Sequence, residues 1–261
     1  MVWLTSLPSV VLVAGCLAVA VLIAFGARLA VRVLVPAGEH DHVQAVASPL
    51  MPALGAAFGV LIGLTLAGEA GYLRSAHDIV ADEAAAASRL AWAATTPDVR
   101  TDPIHGALGD YLQATRAAEW SGDGATEGDP AVADALTTLE QVVRAEAART
   151  EVGTPASTEL LASLDAVTSS RRQRIAAASH QIPVLYVVTL AVSGAALIAN
   201  AGALGFRSSV RTTLLIVGLA ASVGLSLALL LSLAAPWSGP LVVGGGPIDD
   251  VVRDLQAGYF Q

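Results

Sequence analysis

Glu39-His40-Asp41-His42 gathers three types of metal-ligating side chain in four residues. Two imidazoles flanking a carboxylate are donors that suit a divalent transition metal. Alternating positions on a loop or at a helix start do not converge on one ion, however, and no other ligand run adjoins them. The run reads as a polar linker. His77-Asp78 with Asp82 and Glu83 is the second such group. On a helix, positions 78 and 82 share a face while 77 and 83 turn away from it. The group therefore reads as a solvated face rather than a metal or proton site. His105 and His180 stand alone. There is no nucleophile, base and orienting acid in a defensible arrangement, no phosphate-cradling glycine loop and no CxxC pair. The expectation is a protein without catalytic residues, bound metal or cofactor, and not an enzyme.

The single cysteine, Cys16, excludes an intrachain disulfide. Val13-Ala14-Gly15-Cys16 is like a lipoprotein cleavage box, but no basic side chain precedes it and the apolar run continues beyond it. A retained, unlipidated helix is expected. Of 261 residues, 54% are hydrophobic and 14% charged, with mean hydropathy +0.64, the composition of a multi-pass membrane protein. All 14 basic residues are arginine, and the net charge of −8 argues against a nucleic-acid partner.

Four apolar runs set the architecture: residues 7–35, 50–69, 182–205 and 212–235. Each has the roughly 20 residues that a helix needs to cross about 30 Å of hydrocarbon. The second carries small residues at every fourth position, Gly55, Gly59, Gly63, Ala67 and Gly71. In lipid such a ladder lets another backbone approach, because packing there relies on van der Waals contact. Gly218, Ser222 and Ser226 repeat the pattern on the fourth run. No proline interrupts the pattern from the second run to Pro97, so one long helix over 50–94 is predicted, with Pro49 and Pro52 at its start. Asp129-Pro130 and Thr154-Pro155 read as N-cap and N1 of two further helices. No strand-like alternation occurs. The fold class is all-α: four transmembrane helices with a helical extramembrane bundle between spans two and three. The divisions are 1–68 (spans one and two), 69–181 (the bundle, continuous with spans two and three), 182–235 (spans three and four) and 236–261. The last holds a Pro-Trp-Ser-Gly-Pro turn and an amphipathic helix lying on the membrane or on the protein body.

Residues 69–181 hold 17 acids and 9 arginines. Arg28, Arg32, Arg207 and Arg211 flank the two short connections, and by the positive-inside rule they favour those connections in the cytoplasm and the bundle outside, while Arg74, Arg171, Arg172 and Arg174 on the bundle side roughly balance them, so charge alone leaves the orientation open.

The run DIVADEAAAASRLAWAA after span two, Tyr111-Leu112, Glu119-Trp120, Arg171-Arg172-Gln173-Arg174 and Pro236-Trp237-Ser238-Gly239 together resemble the bacterial bestrophin-like family of membrane proteins, distantly related to bestrophins. The likeness covers about residues 28–259. It implies a pentameric ion channel of the bacterial plasma membrane, four spans per subunit, span two lining the pore, and a cytoplasmic helical domain, opposite to the side that the arginines of the short connections favour. On that reading Phe58, Ile62 and Leu66 are candidate constriction residues and Glu69 a carboxylate ring at the mouth; such a ring would favour cations, whereas likeness to bestrophins alone would favour anions. The sequence departs from bestrophins in having Phe58 as the only aromatic on span two and no D-x-D-x-D-G calcium loop. The expected partners are further copies of the chain and membrane lipid. The alternative is a non-conducting scaffold or accessory subunit bound to other proteins.

Overall fold

The computed structural model describes residues 9–36, 40–120, 123–179, 182–205, 210–233, 237 and 243–261. Glu39 and His180 lie outside them, as do the side chains of His40 and Asp41. The described elements are α1 (Ser9–Leu34), α2 (His40–Ala93), α3 (Thr101–Ala118), α4 (Asp123–Glu127), α5 (Pro130–Ala147), α6 (Thr154–Ala178), α7 (Val184–Leu204), α8 (Val210–Leu233) and α9 (Gly246–Gln256). No strand occurs among the described residues. Stretches of α1, α2, α7 and α8 are long and apolar enough to span a membrane.

The chain divides into two compact units. The first comprises Met1–Gly71, Gln181–Ala235 and Gly239–Leu241. The second comprises Tyr72–His180, Pro236–Ser238 and Val242–Gln261.

In the membrane unit, α1 packs closely along both α7 and α8. Close approach requires the absence of side chains at the crossings, and glycine provides it. A Cβ at Gly202 would lie 2.4 Å from the Ala24 carbonyl oxygen, and one at Gly224 would lie 3.0 Å from that of Cys16. The sequence reading singled out neither glycine. α2 is held instead by long side chains: Phe58 and Ile62 enter the core that Leu190, Leu197, Ala220 and Val223 also fill.

α2 is one helix of 54 residues and begins ten residues before the predicted start, so Pro49 and Pro52 sit inside it. Each proline removes one backbone donor from the helix. Membrane helices tolerate this where neighbouring spans supply compensating bonds. The carbonyls so freed are those of Ala45 and Ser48; the Asn200 side-chain amide of α7 donates to the neighbouring Ala47 carbonyl at 2.9 Å.

The second unit is a helical bundle of the α2 C-terminal part, α3, α5, α6 and α9, with the short α4 against α6. Its core includes Val80, Leu90, Leu108, Leu112, Leu139 and Leu160. Asp129 caps α5, its carboxylate accepting from the Ala131 amide at 2.8 Å, as its sequence predicts. The second cap signal differs: Gly153 is the cap of α6, and Thr154 is already helical. The predicted continuity of α6 with span three is also absent. α6 stops at Ala178, and α7 starts after Pro183, whose backbone is extended. Proline offers no N–H, and the residue before it avoids helical geometry.

Residues 243–261 fold onto the bundle, burying Val243, Ile248, Val251 and Phe260 in its core. Arg116 of α3 grips Asp249 with two donors, Nε to Oδ1 at 2.6 Å and Nη2 to Oδ2 at 3.0 Å. Asp249 lies in the first turn of α9, where the helix dipole favours a carboxylate.

Candidate functional site

Two arrangements stand out, one in each unit. The first is the split between the two faces of span two. At about 100° per residue, positions 58, 62 and 69 fall within about 40° of one another. Phe58 and Ile62 are 6% and 8% exposed. A Cβ at Gly194 would meet the Phe58 ring at 3.1 Å and Val223 at 2.9 Å, so Gly194 makes the seat for Phe58. Phe58 and Ile62, expected from the sequence as constriction residues, pack within the subunit's own core. Leu66 and Glu69 are half-buried towards the same side.

The opposite face differs. Gly59, Gly63, Ala67 and Gly71 are exposed and Gly55 is half-buried. A Cβ at any of the four glycines would meet nothing within 4 Å. Rows of residues four apart wind slowly round a helix, so the ladder runs obliquely from the Phe58 side to the outer side. Val60 and Leu64, 61% and 71% exposed, stand beside it. The outer faces of the other spans are bulky: Leu22, Phe25 and Leu29 on α1, Leu185 and Tyr186 on α7, Leu214 and Leu215 on α8. The row Gly218, Ser222 and Ser226 is likewise not a packing seam within the subunit. Gly218 and Ser222 are exposed, a Cβ at Gly218 meets nothing, and the Ser226 hydroxyl donates to its own helix at Ser222.

The second arrangement is an ion network sealed inside the bundle. Arg174 of α6 is fully buried. Its Nε donates to Glu83 Oε2 at 2.6 Å and its Nη2 to Glu119 Oε2 at 2.7 Å. Arg171, one turn earlier, donates to both oxygens of Glu119. The Asp129 amide adds a third donor to Glu119 at 2.9 Å, and the Tyr111 hydroxyl donates to Glu83 at 3.2 Å. Trp120 lies under Arg174 and Arg116, 5.1 and 4.7 Å from its ring centroid. Its indole donates to the Val243 carbonyl, and Trp237 meets it edge-on. Gly128 has φ +79°, and a Cβ there would crowd Arg171 and Glu119 at 3.3–3.4 Å, so glycine closes the network. Of the residues that carry the family resemblance, Glu83, Tyr111, Glu119, Trp120, Arg171, Arg174 and Trp237 thus meet in one place. No signal in periodicity predicts this, because a buried arginine breaks the apolar face of α6. His77, Asp78 and Asp82 are exposed on α2 while Glu83 is buried, which divides the acidic group of the sequence reading.

Burial alone would raise the Glu119 carboxyl, but the bonds from Arg171, the Asp129 amide and Arg174 outweigh it and hold it below its ordinary value of 4.5. Glu146 is lowered in the same way, burial being outweighed by the Arg100 amide, Arg149 and the Arg100 side chain. Burial, then the Glu83 charge, pushes the Tyr111 phenol far up. A carboxyl depressed in the folded state contributes stability that is complete above its unfolded value and is lost as pH falls through its folded value. The helical domain is therefore expected to lose stability progressively below pH 4.5. Thermal unfolding followed across that range should show a flatter acid limb for Glu119→Gln than for the parent. Parallel acid limbs would show that Glu119 does not contribute to the linkage.

Among the described residues no group of three or more histidine, cysteine or acidic side chains is placed to hold a metal ion.

A bestrophin-like domain profile matches residues 18–248. No curated protein matches the chain in sequence. Solved structures of the same fold include a bacterial bestrophin homologue from Klebsiella pneumoniae, 12% identical over 94% of this chain and 97% of that one, with TM-score 0.70. A point variant of that homologue is 11% identical over 94% and 99%, with TM-score 0.71. A variant of a further membrane protein is 11% identical over 95% and 98%, with TM-score 0.74.

Proposed function

The chain belongs to the bestrophin-like family, and from that premise we propose that it is a homo-oligomeric, pentameric ion channel of the bacterial plasma membrane, with α2 lining the pore. The observation that carries this reading is the contrast of outer faces. Spans one, three and four present mainly bulky side chains suited to lipid, while span two sets beside Val60 and Leu64 the longest exposed row of small residues, Gly59, Gly63, Ala67 and Gly71, which lets copies of itself approach around an axis. Phe58 and Ile62 then anchor each α2 to its own subunit. The pore face is the opposite one, about 180–240° round from Phe58, with Ala67, Val60 and Leu64. Val60 and Leu64 form the apolar narrowing, a type of constriction that can gate by dewetting. Glu69 returns to the Phe58 side and lies off the ion path.

Native mass spectrometry in mild detergent tests the assembly: a fivefold mass supports the reading, and a monomer overturns it. Cysteine accessibility tests the face. In a Cys16→Ala background in planar bilayers, a water-soluble thiol reagent should block current through Val60→Cys and Leu64→Cys and leave Phe58→Cys unaffected. Under a salt gradient, Glu69→Gln should keep the parental reversal potential; a shift would return Glu69 to the pore.

The scaffold alternative rested on an acidic surface and a free amphipathic tail. With Ile248 and Val251 of α9 buried in the bundle, the tail is not free for a partner. Stoichiometric foreign chains co-purifying from the native membrane would favour that alternative.

A further inference from the structure

His42, from the histidine and carboxylate run at the start of α2, is exposed. It lies about five helical turns before Val60 and so falls on the same side of the helix. The two prolines between them do not break that register. The inward line runs through Ala47, Met51, Leu54 and Phe58 at steps of three and four residues. The outward line runs at the same steps through Val46, Pro49, Ala53, Ala56 and Val60, all exposed, and His42 opens it. Between His42 and Glu69 the chain has no charged residue and no other histidine or cysteine. A metal ion drawn to this face therefore has the imidazole as its one strong ligand type.

Among the described residues of one subunit, no three such ligands converge on an ion. Rotational symmetry changes that. If α2 helices surround an axis, the reading on which this inference rests, every copy brings His42 to the same height and the same side. Helices in contact stand about 8–10 Å apart, which puts five of them about 7–9 Å from a common axis. The Cα atoms lie about 2.3 Å out from each helix axis, and an imidazole with a zinc–nitrogen bond of about 2.0–2.1 Å spans what remains. Imidazole suits zinc, nickel and copper, while magnesium and calcium take oxygen donors. Zinc fills four positions, which three or four imidazoles of the ring supply with or without a water. We propose that the His42 side chains of the assembled copies form one axial site for a divalent transition metal at the mouth where α2 begins, and that an ion bound there obstructs the pore.

The test counts zinc on the full chain in mild detergent by native mass spectrometry, metal against copies of the chain. One zinc ion per assembly is expected, absent from His42→Ala and kept in His40→Ala. His42→Cys in the Cys16→Ala background, which offers zinc a second kind of donor, should regain it. Magnesium should not be retained. In planar bilayers zinc should reduce the parental current from one side only. His42→Ala should need at least about tenfold more zinc for half-block, since a ligand counts for no less than the outer partners of one. One ion per subunit, the mark of a local site in the connection, overturns the proposal. So does an intact assembly that binds none, a block unaltered in His42→Ala, or zinc held without loss of current. A monomer takes away the assembly and the site together, whereas a fivefold assembly without the ion takes away the site alone. If His42→Ala fails to assemble, the count on the parent decides.

Discussion

Arg174→Ala should cost the helical domain about 3–5 kcal/mol, the effect of stripping one partner from a buried ion set. The side chain is fully buried and bridges two carboxylates, Glu83 and Glu119, which are themselves 0% exposed. Its removal leaves Glu83 with only the Tyr111 hydroxyl among its bonded partners described above, while Glu119 keeps Arg171 and the Asp129 amide. Most of the loss therefore comes from Glu83. That assignment has a consequence: Glu83→Leu combined with Arg174→Met should be much less damaging than Arg174→Ala, since it removes charge and countercharge together. Domains are stable by only about 5–15 kcal/mol, so the single variant is expected to populate unfolded or molten bundle at ambient temperature. Denaturant unfolding of the full chain, followed by indole fluorescence, reads the difference, because Trp120 lies against Arg174. A loss in Arg174→Ala below about 1 kcal/mol, the level of an exposed surface pair, would mean that the network is not closed to water.

Gly202→Ala should be the most damaging single-methyl change in the membrane unit. The new Cβ would stand 2.4 Å from the Ala24 carbonyl oxygen and 3.2 Å from the Ala27 Cβ. Backbone on one side and a helix on the other leave no flexible side chain to move aside, so α1 and α7 must separate. Overpacking typically costs about 1–3 kcal/mol, and a contact against backbone falls at the top of that range or beyond it. Gly63→Ala is the matched control. It adds the same methyl to a glycine in a span, but the methyl meets nothing within 4 Å in the subunit. Its effect should appear in the oligomer and in conductance, not in subunit stability. Unfolding in mixed micelles at increasing denaturing-detergent fraction, read beside the native mass, separates the two. Equal subunit stabilities for Gly202→Ala and Gly63→Ala would refute the assignment of Gly202 as the crossing point.

Much of the architecture was legible from composition and length alone. Apolar runs of membrane-spanning length, the absence of any alternating segment and the uninterrupted pattern beyond Glu69 led to four spans, an all-helical bundle and one helix shared by both. These are local properties: hydrocarbon thickness sets the run length, and backbone hydrogen bonding in lipid requires the helix. The cap at Asp129 was equally legible, because a carboxylate before a proline meets the first amides of the same helix.

What the tertiary structure decided is which face of each helix is used. A sequence shows that Gly55, Gly59, Gly63 and Ala67 form a row, but not whether the row meets its own subunit or the outside. Phe58 settles that by entering the space left at Gly194, 136 residues further along the chain. Of the glycines that seat helix against helix, Gly202 stands in no ladder, and Gly224 belongs to the buried row Ala220, Gly224, Ala228 and Ser232, which the sequence alone does not distinguish from the neighbouring row at Gly218. Arg174 looked like part of a basic run and is instead the centre of a buried network. Burial of a charge is decided by where its countercharges arrive, and Glu83 and Glu119 come from helices separated from it by 91 and 55 residues. Periodicity reports the environment of a helix face only while that environment is apolar. Where a face is held by ion pairs, or left open for other copies of the chain, only the packed structure distinguishes the two.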